Sequence, residues 1–197
     1  MAIETRRRQI EDAASELFRT NGYAATSVRD IARALDLQGA SLYAHVAGKE
    51  DVLWAIVDRA ASRFEEALAR AEAEADANDA TAAERLRAIV AEHARLVARA
   101  PELAAVFATE WRYLSGERRA SILARRDAYE ARVREVIANG MATGELALTD
   151  GPVAAAFLLS ALNGIAAWFR PDGRLSPDDL ADRYADLAIR ALSEDSR

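Results

Sequence analysis

The chain has 197 residues, 51% of them apolar, enough to bury a core and too apolar for a disordered polymer. Its 26 cationic and 32 acidic residues leave a formal net charge of −6, so any contact with nucleic acid needs a local cationic patch. Cysteine is absent, which excludes disulfides, thiol catalysis and thiolate metal sites and suits a reducing cytoplasm.

The opening MAIETRRRQIEDAA is charged and shows no signal peptide. Ile10, Ala13, Ala14, Leu17 and Phe18 then recur at helical spacing, predicting a first helix that stops at Asn21-Gly22. Ser27 reads as an N-cap with Asp30 as its capping-box partner, and Val28, Ile31, Ala32 and Leu35 give a second, short helix its buried stripe. DLQGA is a tight turn in which Asp36 can take the left-handed conformation. A third short helix is expected from about Gln38 through Ala44, and a fourth starts at VAGKED and continues towards Ala77. DANDAT breaks the pattern at 76–81. Longer helices follow near Thr81–Arg99, Pro101–Leu114, Glu117–Thr143, Pro152–Phe169 and Pro177–Leu192, three of them with proline suited to the first turn. No segment alternates as a strand should, so the expected fold is all-α with about nine helices. The longest apolar run, Val153 to Phe169, is shorter than the roughly 20 residues of a membrane span and contains Asn163, so no membrane partner is expected and a cytoplasmic protein is.

Two short helices around a tight turn, braced by a first helix, are a helix-turn-helix whose second helix enters the DNA major groove. Gln38, Gly39, Ala40 and Ser41 are placed to face bases: glutamine can pair with adenine in a bidentate way, and alanine allows close approach. Tyr43, His45 and Lys49, the last being the single lysine of the chain, follow where a hydroxyl, an imidazole and an ammonium can meet phosphates. TRRR at the front offers a basic arm. Each residue also has a plainer reading: Tyr43 as a core aromatic, His45 as a packing histidine. AGKE is not a phosphate loop, because Tyr43 stands where its first glycine belongs. His93 follows Glu92 with no second histidine in reach, so a zinc site is not expected. No Ser-His-Asp elbow appears, and neither an enzyme nor a cofactor is expected.

GYAATSVRDIARALDLQGASLYAHVAGKEDVL resembles the DNA-binding domain of the TetR family of bacterial transcriptional regulators, over about residues 3–63 with the motif at about 27–46. The resemblance implies phosphate contacts at Thr26, Ser27, Tyr43, His45 and Lys49, base contacts at Gln38 to Ser41, and a double-stranded DNA operator with an inverted repeat. Asp36 stands where the family usually has glycine, Gln38-Gly39 replaces a common Ser-Lys pair, and Val46-Ala47 replaces Phe-Pro. Domains are expected at 1–48 for DNA binding and 49–197 for ligand binding and dimerisation.

Family members pair their last two helices into a four-helix bundle, which implies a homodimer interface at Leu159, Leu162, Tyr184 and Leu187. The middle helices are expected to hold a small hydrophobic ligand near Phe107, Trp111, Arg112, Tyr129, Phe157, Asn163, Trp168 and Arg170. RRDAYEARVREVIANGMATGEL and the C-terminal LSALNGIAAWFRPDGRLSPDDLADRYADLAIRAL are similar to TetR-type regulators of fatty-acid and sterol breakdown, which implies an acyl-CoA thioester as ligand. Its phosphates would need arginines, for which Arg112, Arg118, Arg119 and Arg170 are candidates. The alternatives are an efflux regulator answering to a hydrophobic drug, and a helical scaffold without DNA function.

Overall fold

Helix boundaries fall where local capping chemistry puts them. The computed structural model describes residues 2–37, 42–147 and 150–193, and among these every regular element is helical. Helix α1 spans Ala2–Asn21, α2 Val28–Ala34, α3 Lys49–Ala77, α4 Ala82–Arg99 and α5 Pro101–Thr109. A 3-10 turn at Glu110–Tyr113 follows, then α6 at Gly116–Thr143, α7 at Gly151–Trp168 and α8 at Pro177–Leu192. Ser27, Thr81 and Ser176 each cap a helix with their side chain, and Asp30, Glu84 and Asp179 reach back to complete three capping boxes.

The turn after α2 is a Schellman motif. Leu37 N–H donates to Ala32 O at 2.9 Å and Asp36 N–H to Arg33 O at 3.2 Å, which forces Asp36 to φ 53°. A short polar side chain tolerates that conformation, so aspartate serves where glycine would be less strained. Asp79, at φ 47°, closes α3 in the same way. The expected helix at 38–44 falls largely outside the described residues. Leu42 and Tyr43 are helical, and the buried Leu42 and Val46 pin the segment that follows the turn.

The expected helix at 101–114 changes character at Glu110. Thr109 Oγ1 donates back to Ala105 O at 3.0 Å, and the chain tightens into the 3-10 turn, from which Glu110 reaches the backbone of Tyr23.

Two compact units result, and their limits differ from a cut at 48/49. The first comprises Met1–Ala61 with Glu102–Ala124, the second Ser62–Pro101 with Arg125–Arg197. Both chain crossings within α3 and α6 are helical, so each of these helices contributes one part to each unit. The core of the first unit is built from Ile10, Phe18, Ile31, Leu42, Leu53, Ile56, Leu114 and Ile122. In the second, α4 packs against α7 and α8, burying Leu86, Ile89, Val90, Ile137, Leu162, Ile165 and Leu180. Burial of side chains of this size contributes about 1.5–3 kcal/mol each, the main stabilising term in both units.

Candidate nucleic-acid interface and ligand site

In the first unit, the residues expected at DNA phosphates divide into those that hold the motif together and those that remain available. Thr26 is 2% exposed, and its hydroxyl donates to Gly22 O at 2.9 Å, closing the end of α1. That corrects its expected role: a hydroxyl turned into the protein cannot meet a phosphate. The Ser27 hydroxyl donates to Asp30 Oδ2 at 2.6 Å and accepts from Asp30 N–H at 3.2 Å, so it caps α2. The hydroxyl's bond first, and then the Ser27 N–H, which donates to Oδ2 at 2.9 Å, hold the Asp30 carboxyl below its usual range.

Lys49 opens α3 but does not point free into solvent. Its Nζ donates to Tyr23 O and to Thr26 O, both at 2.8 Å, and sits 4.1 Å from the centroid of the Tyr23 ring. An ammonium has three donors, so one remains for an anion. The lone lysine is therefore first a tie between α3 and the α1–α2 connection, which corrects its expectation as a phosphate clamp alone. Arginine's planar fork would not satisfy two carbonyls from one point.

Tyr23, noted in the sequence only as part of a pattern, is the hub of this tie. Its ring meets Phe18 at 5.2 Å and Tyr113 at 5.1 Å, and its backbone N–H donates to Glu110 Oε2 at 3.0 Å. Burial pushes its phenol above the ordinary value. Close by in sequence to Lys49, Glu50 Oε1 accepts from Ser115 N–H at 3.0 Å and from its hydroxyl at 2.9 Å, bonds that lower the Glu50 pKa. Asp51 pairs with Arg118 at 3.0 Å, and the Arg118 guanidinium lies over Trp54 at 5.6 Å.

Tyr43 is 59% exposed. His45 is half-buried, with Nδ1 turned inward and no hydrogen-bond partner among the described residues. Gln38, Gly39, Ala40 and Ser41 lie outside the described residues. The expected basic arm is helical instead: Arg7 and Arg8 belong to α1 and pair with Glu11 at 3.6 Å and Asp12 at 3.5 Å, which cancels part of its charge.

The residues expected around a ligand belong to separate units. Phe107 is buried in the first. There too, Trp111 is half-buried, with the guanidinium groups of Arg112 and Arg119 each 5.9 Å from its ring. Tyr129, Phe157, Asn163, Trp168 and Arg170 belong to the second. Phe157 is 57% exposed, and Trp168 and Arg170 are exposed as well, so these three do not line an enclosed pocket. They correct that expectation, and the physical reason is that α4 and α8 cover only one side of α7. Val153, Phe157, Gly164 and Trp168 recur along its uncovered face, and Trp168 stacks on Tyr184 of α8 at 6.3 Å. Leu187, on α8, is 62% exposed, and Leu159 is half-buried. Leu162 is packed inside its own unit, so it is removed from any surface a partner could touch.

Tyr129 and Asn163 do meet, around His93, which the sequence offers only as a lone metal ligand. His93 continues the apolar stripe of α4 through Leu86, Val90 and Val97, and only 4% of it is exposed. Its Nδ1 is 2.9 Å from the Tyr129 hydroxyl, and Phe64 lies on its ring with centroids 4.7 Å apart. Asn163 stands by the ring, where its amide favours the protonated form, but Nε2 makes no hydrogen bond among the described residues. Burial outweighs Asn163 and drives the His93 pKa down to about 3, so the imidazole is neutral. Burial likewise raises that of Tyr129. The signal that could have found His93 was its place on an apolar stripe, where a lone imidazole needs partners.

The first unit thus carries a capped α2, a left-handed turn and an exposed tyrosine, and the second a buried polar group in its core. Residues 10–56 match the bacterial regulatory proteins of the tetR family, and residues 79–192 match the tetracyclin repressor-like C-terminal domain. The chain belongs to the TetR family, whose members are DNA-binding regulators rather than enzymes. It is 25% identical over 197 residues to the HTH-type transcriptional repressor KstR2 of Rhodococcus jostii, covering 95% of this chain and 91% of that one. It is 30% identical over 139 residues to the fatty acid metabolism regulator protein of Bacillus subtilis, covering 70% and 69%. Among solved structures it is similar to AibR in complex with isovaleryl coenzyme A and operator DNA, with 33% identity, a TM-score of 0.79 and coverage of 95% and 97%.

Proposed function

We propose that this protein is a homodimeric repressor in the cytoplasm, released from an inverted-repeat operator by an acyl-CoA thioester of lipid catabolism. The observation that carries the ligand class is the full-length similarity to AibR in complex with isovaleryl coenzyme A and operator DNA. The named roles of KstR2 as a repressor and of the Bacillus protein in fatty acid metabolism point the same way. Gln38 to Ser41 read bases, while Tyr43, His45 and the spare Lys49 donor meet phosphates. The exposed Arg170, in the same unit as Tyr129 and Asn163, is a group suited to coenzyme A phosphates.

A second copy covers α7 and α8. Only 33% of the 18-residue α7 is buried in its own chain, and by length and composition alone that helix could cross a membrane. Apolar side chains of the size of Phe157, Trp168 and Leu187 on adjoining helices are what a symmetric interface buries. A twofold axis then sets two recognition segments against half-sites about 34 Å apart.

Release requires that the ligand bind one of two global states better than the other. Helix α3 can join the two events, since it begins at Lys49 and carries Phe64 fifteen residues on, ~22 Å along its axis at 1.5 Å per residue. A tilt of about 5° over that length displaces Lys49 by about 2 Å, enough to break its remaining contact with a phosphate. A coupling of about 1–3 kcal/mol corresponds to roughly 5–150-fold weaker operator binding. The test is a titration of operator-bound protein with free coenzyme A, fatty acids, acyl-CoAs of several chain lengths and hydrophobic cations. Release by acyl-CoA alone is expected. Release by cations alone would establish the efflux reading, and release by none would end the ligand proposal.

A further inference from the structure

The imidazole of His93 is a buried polar group with one side unused. Four helices converge on it: Phe64 from α3, His93 itself from α4, Tyr129 from α6 and Asn163 from α7. A neutral imidazole carries one N–H and one bare nitrogen. If the Tyr129 hydroxyl donates to Nδ1, the ring proton sits on Nε2, where the Asn163 amide stands nearby but no well-formed hydrogen bond is made among the described residues. If Nδ1 donates to the tyrosine oxygen instead, both Nε2 and the phenolic proton are left over. The first arrangement leaves fewer groups unsatisfied and is the favoured one. Either way a side chain 4% exposed keeps an open hydrogen-bonding position, which buried polar groups rarely do without a purpose.

We propose that His93 Nε2–H, oriented by Tyr129, donates a hydrogen bond to a carbonyl oxygen of the apolar ligand of this protein. This rests on the acyl-CoA reading, and identifies the thioester carbonyl as the atom recognised. A neutral oxygen suits the site: a carboxylate would favour a protonated ring, which burial and the positive charge of Arg126 both oppose. The aromatic faces of Phe64 and Tyr129, which meet edge to face at 6.2 Å, suit an alkyl chain or ring joined to that carbonyl. Tyr129 is a positioning residue here, since it sets the tautomer and need not touch ligand itself.

The experiment compares octanoyl-CoA with S-octyl-CoA, the thioether that lacks only the carbonyl oxygen, on the full chain and on His93→Phe. Binding is followed by calorimetry. The ring nitrogens of His93 are followed by 15N NMR in the unmodified protein, so the test survives a variant that does not fold. The expected result is binding of the thioester about tenfold tighter than the thioether, an Nε2 resonance that moves with the thioester only, and loss of the preference in His93→Phe. Equal binding of the two with an unmoved Nε2 overturns this inference and leaves the acyl-CoA reading intact. If neither coenzyme A compound binds but 2-decanone moves Nε2, the carbonyl donor stands and the acyl-CoA reading falls. An Nε2 resonance unmoved by all three probes overturns the proposal, with a trapped water as the acceptor.

Discussion

Replacing Lys49 by methionine separates a structural tie from a phosphate contact. The substitution keeps most of the aliphatic stem and removes two charge-assisted hydrogen bonds of 2.8 Å and a cation–π contact at 4.1 Å. Bonds to charged groups contribute about 1.5–3 kcal/mol each when well shielded, and the ring contact about 0.5–1 kcal/mol. Because Lys49 is half-buried, water replaces part of this, leaving a net loss of about 2–3 kcal/mol. For a chain of this length that lowers the melting temperature by about 5–10 °C. The carbonyls of Tyr23 and Thr26 lose their partner, so the connection carrying Ser27 and α2 loosens, and operator binding weakens for every sequence alike. The spare donor adds at most about one to the salt slope per half-site. Calorimetric melting and a salt titration of operator binding, run on Lys49→Met and Lys49→Arg, read the two roles apart. Lys49→Arg keeps the charge and should hold the salt slope while recovering only part of the melting temperature. An unchanged melting temperature in Lys49→Met, together with a lower salt slope, would refute the tie and restore the clamp as the lysine's one role.

Thr26→Val removes the hydroxyl that closes α1 while keeping its shape; we expect a loss of about 1 kcal/mol in urea unfolding and no change in the salt slope of DNA binding. Leu187→Arg should convert the protein to monomers or insoluble material, because burying an unpaired charge costs several kcal/mol; sedimentation of a folded wild-type monomer at micromolar concentration would contradict the interface. His93 makes the protein acid-sensitive. In the unfolded chain it takes up a proton near its ordinary 6.5, in the folded chain only near 3. Between those values the unfolded state binds more protons, so stability falls as pH falls, by at most about 1.4 kcal/mol per pH unit. Urea midpoints at pH 7 and pH 5 should therefore converge in His93→Phe relative to wild type.

What the sequence by itself determined is what local chemistry determines. Ser27, Thr81 and Ser176 cap helices through residues three positions on, and Asp36 turns left-handed through carbonyls of α2, so their roles could be read within one turn of chain. The periodic stripe of α1 likewise declares which face is covered. The TetR pattern added the functional class, because a regulator's DNA-reading motif is itself nearly continuous in sequence. Tertiary structure decided everything that depends on a partner far along the chain. Lys49 finds its carbonyls 23 and 26 residues away, and His93 finds Tyr129 at a separation of 36. Neither pairing leaves a trace in spacing. For the same reason Thr26 read as a surface hydroxyl, and Leu162 as an interface residue. Helix α7 is apolar nearly all round, so its composition could not say which face its own chain covers; only the packing of α4 and α8 against it leaves Phe157 and Trp168 on the outside.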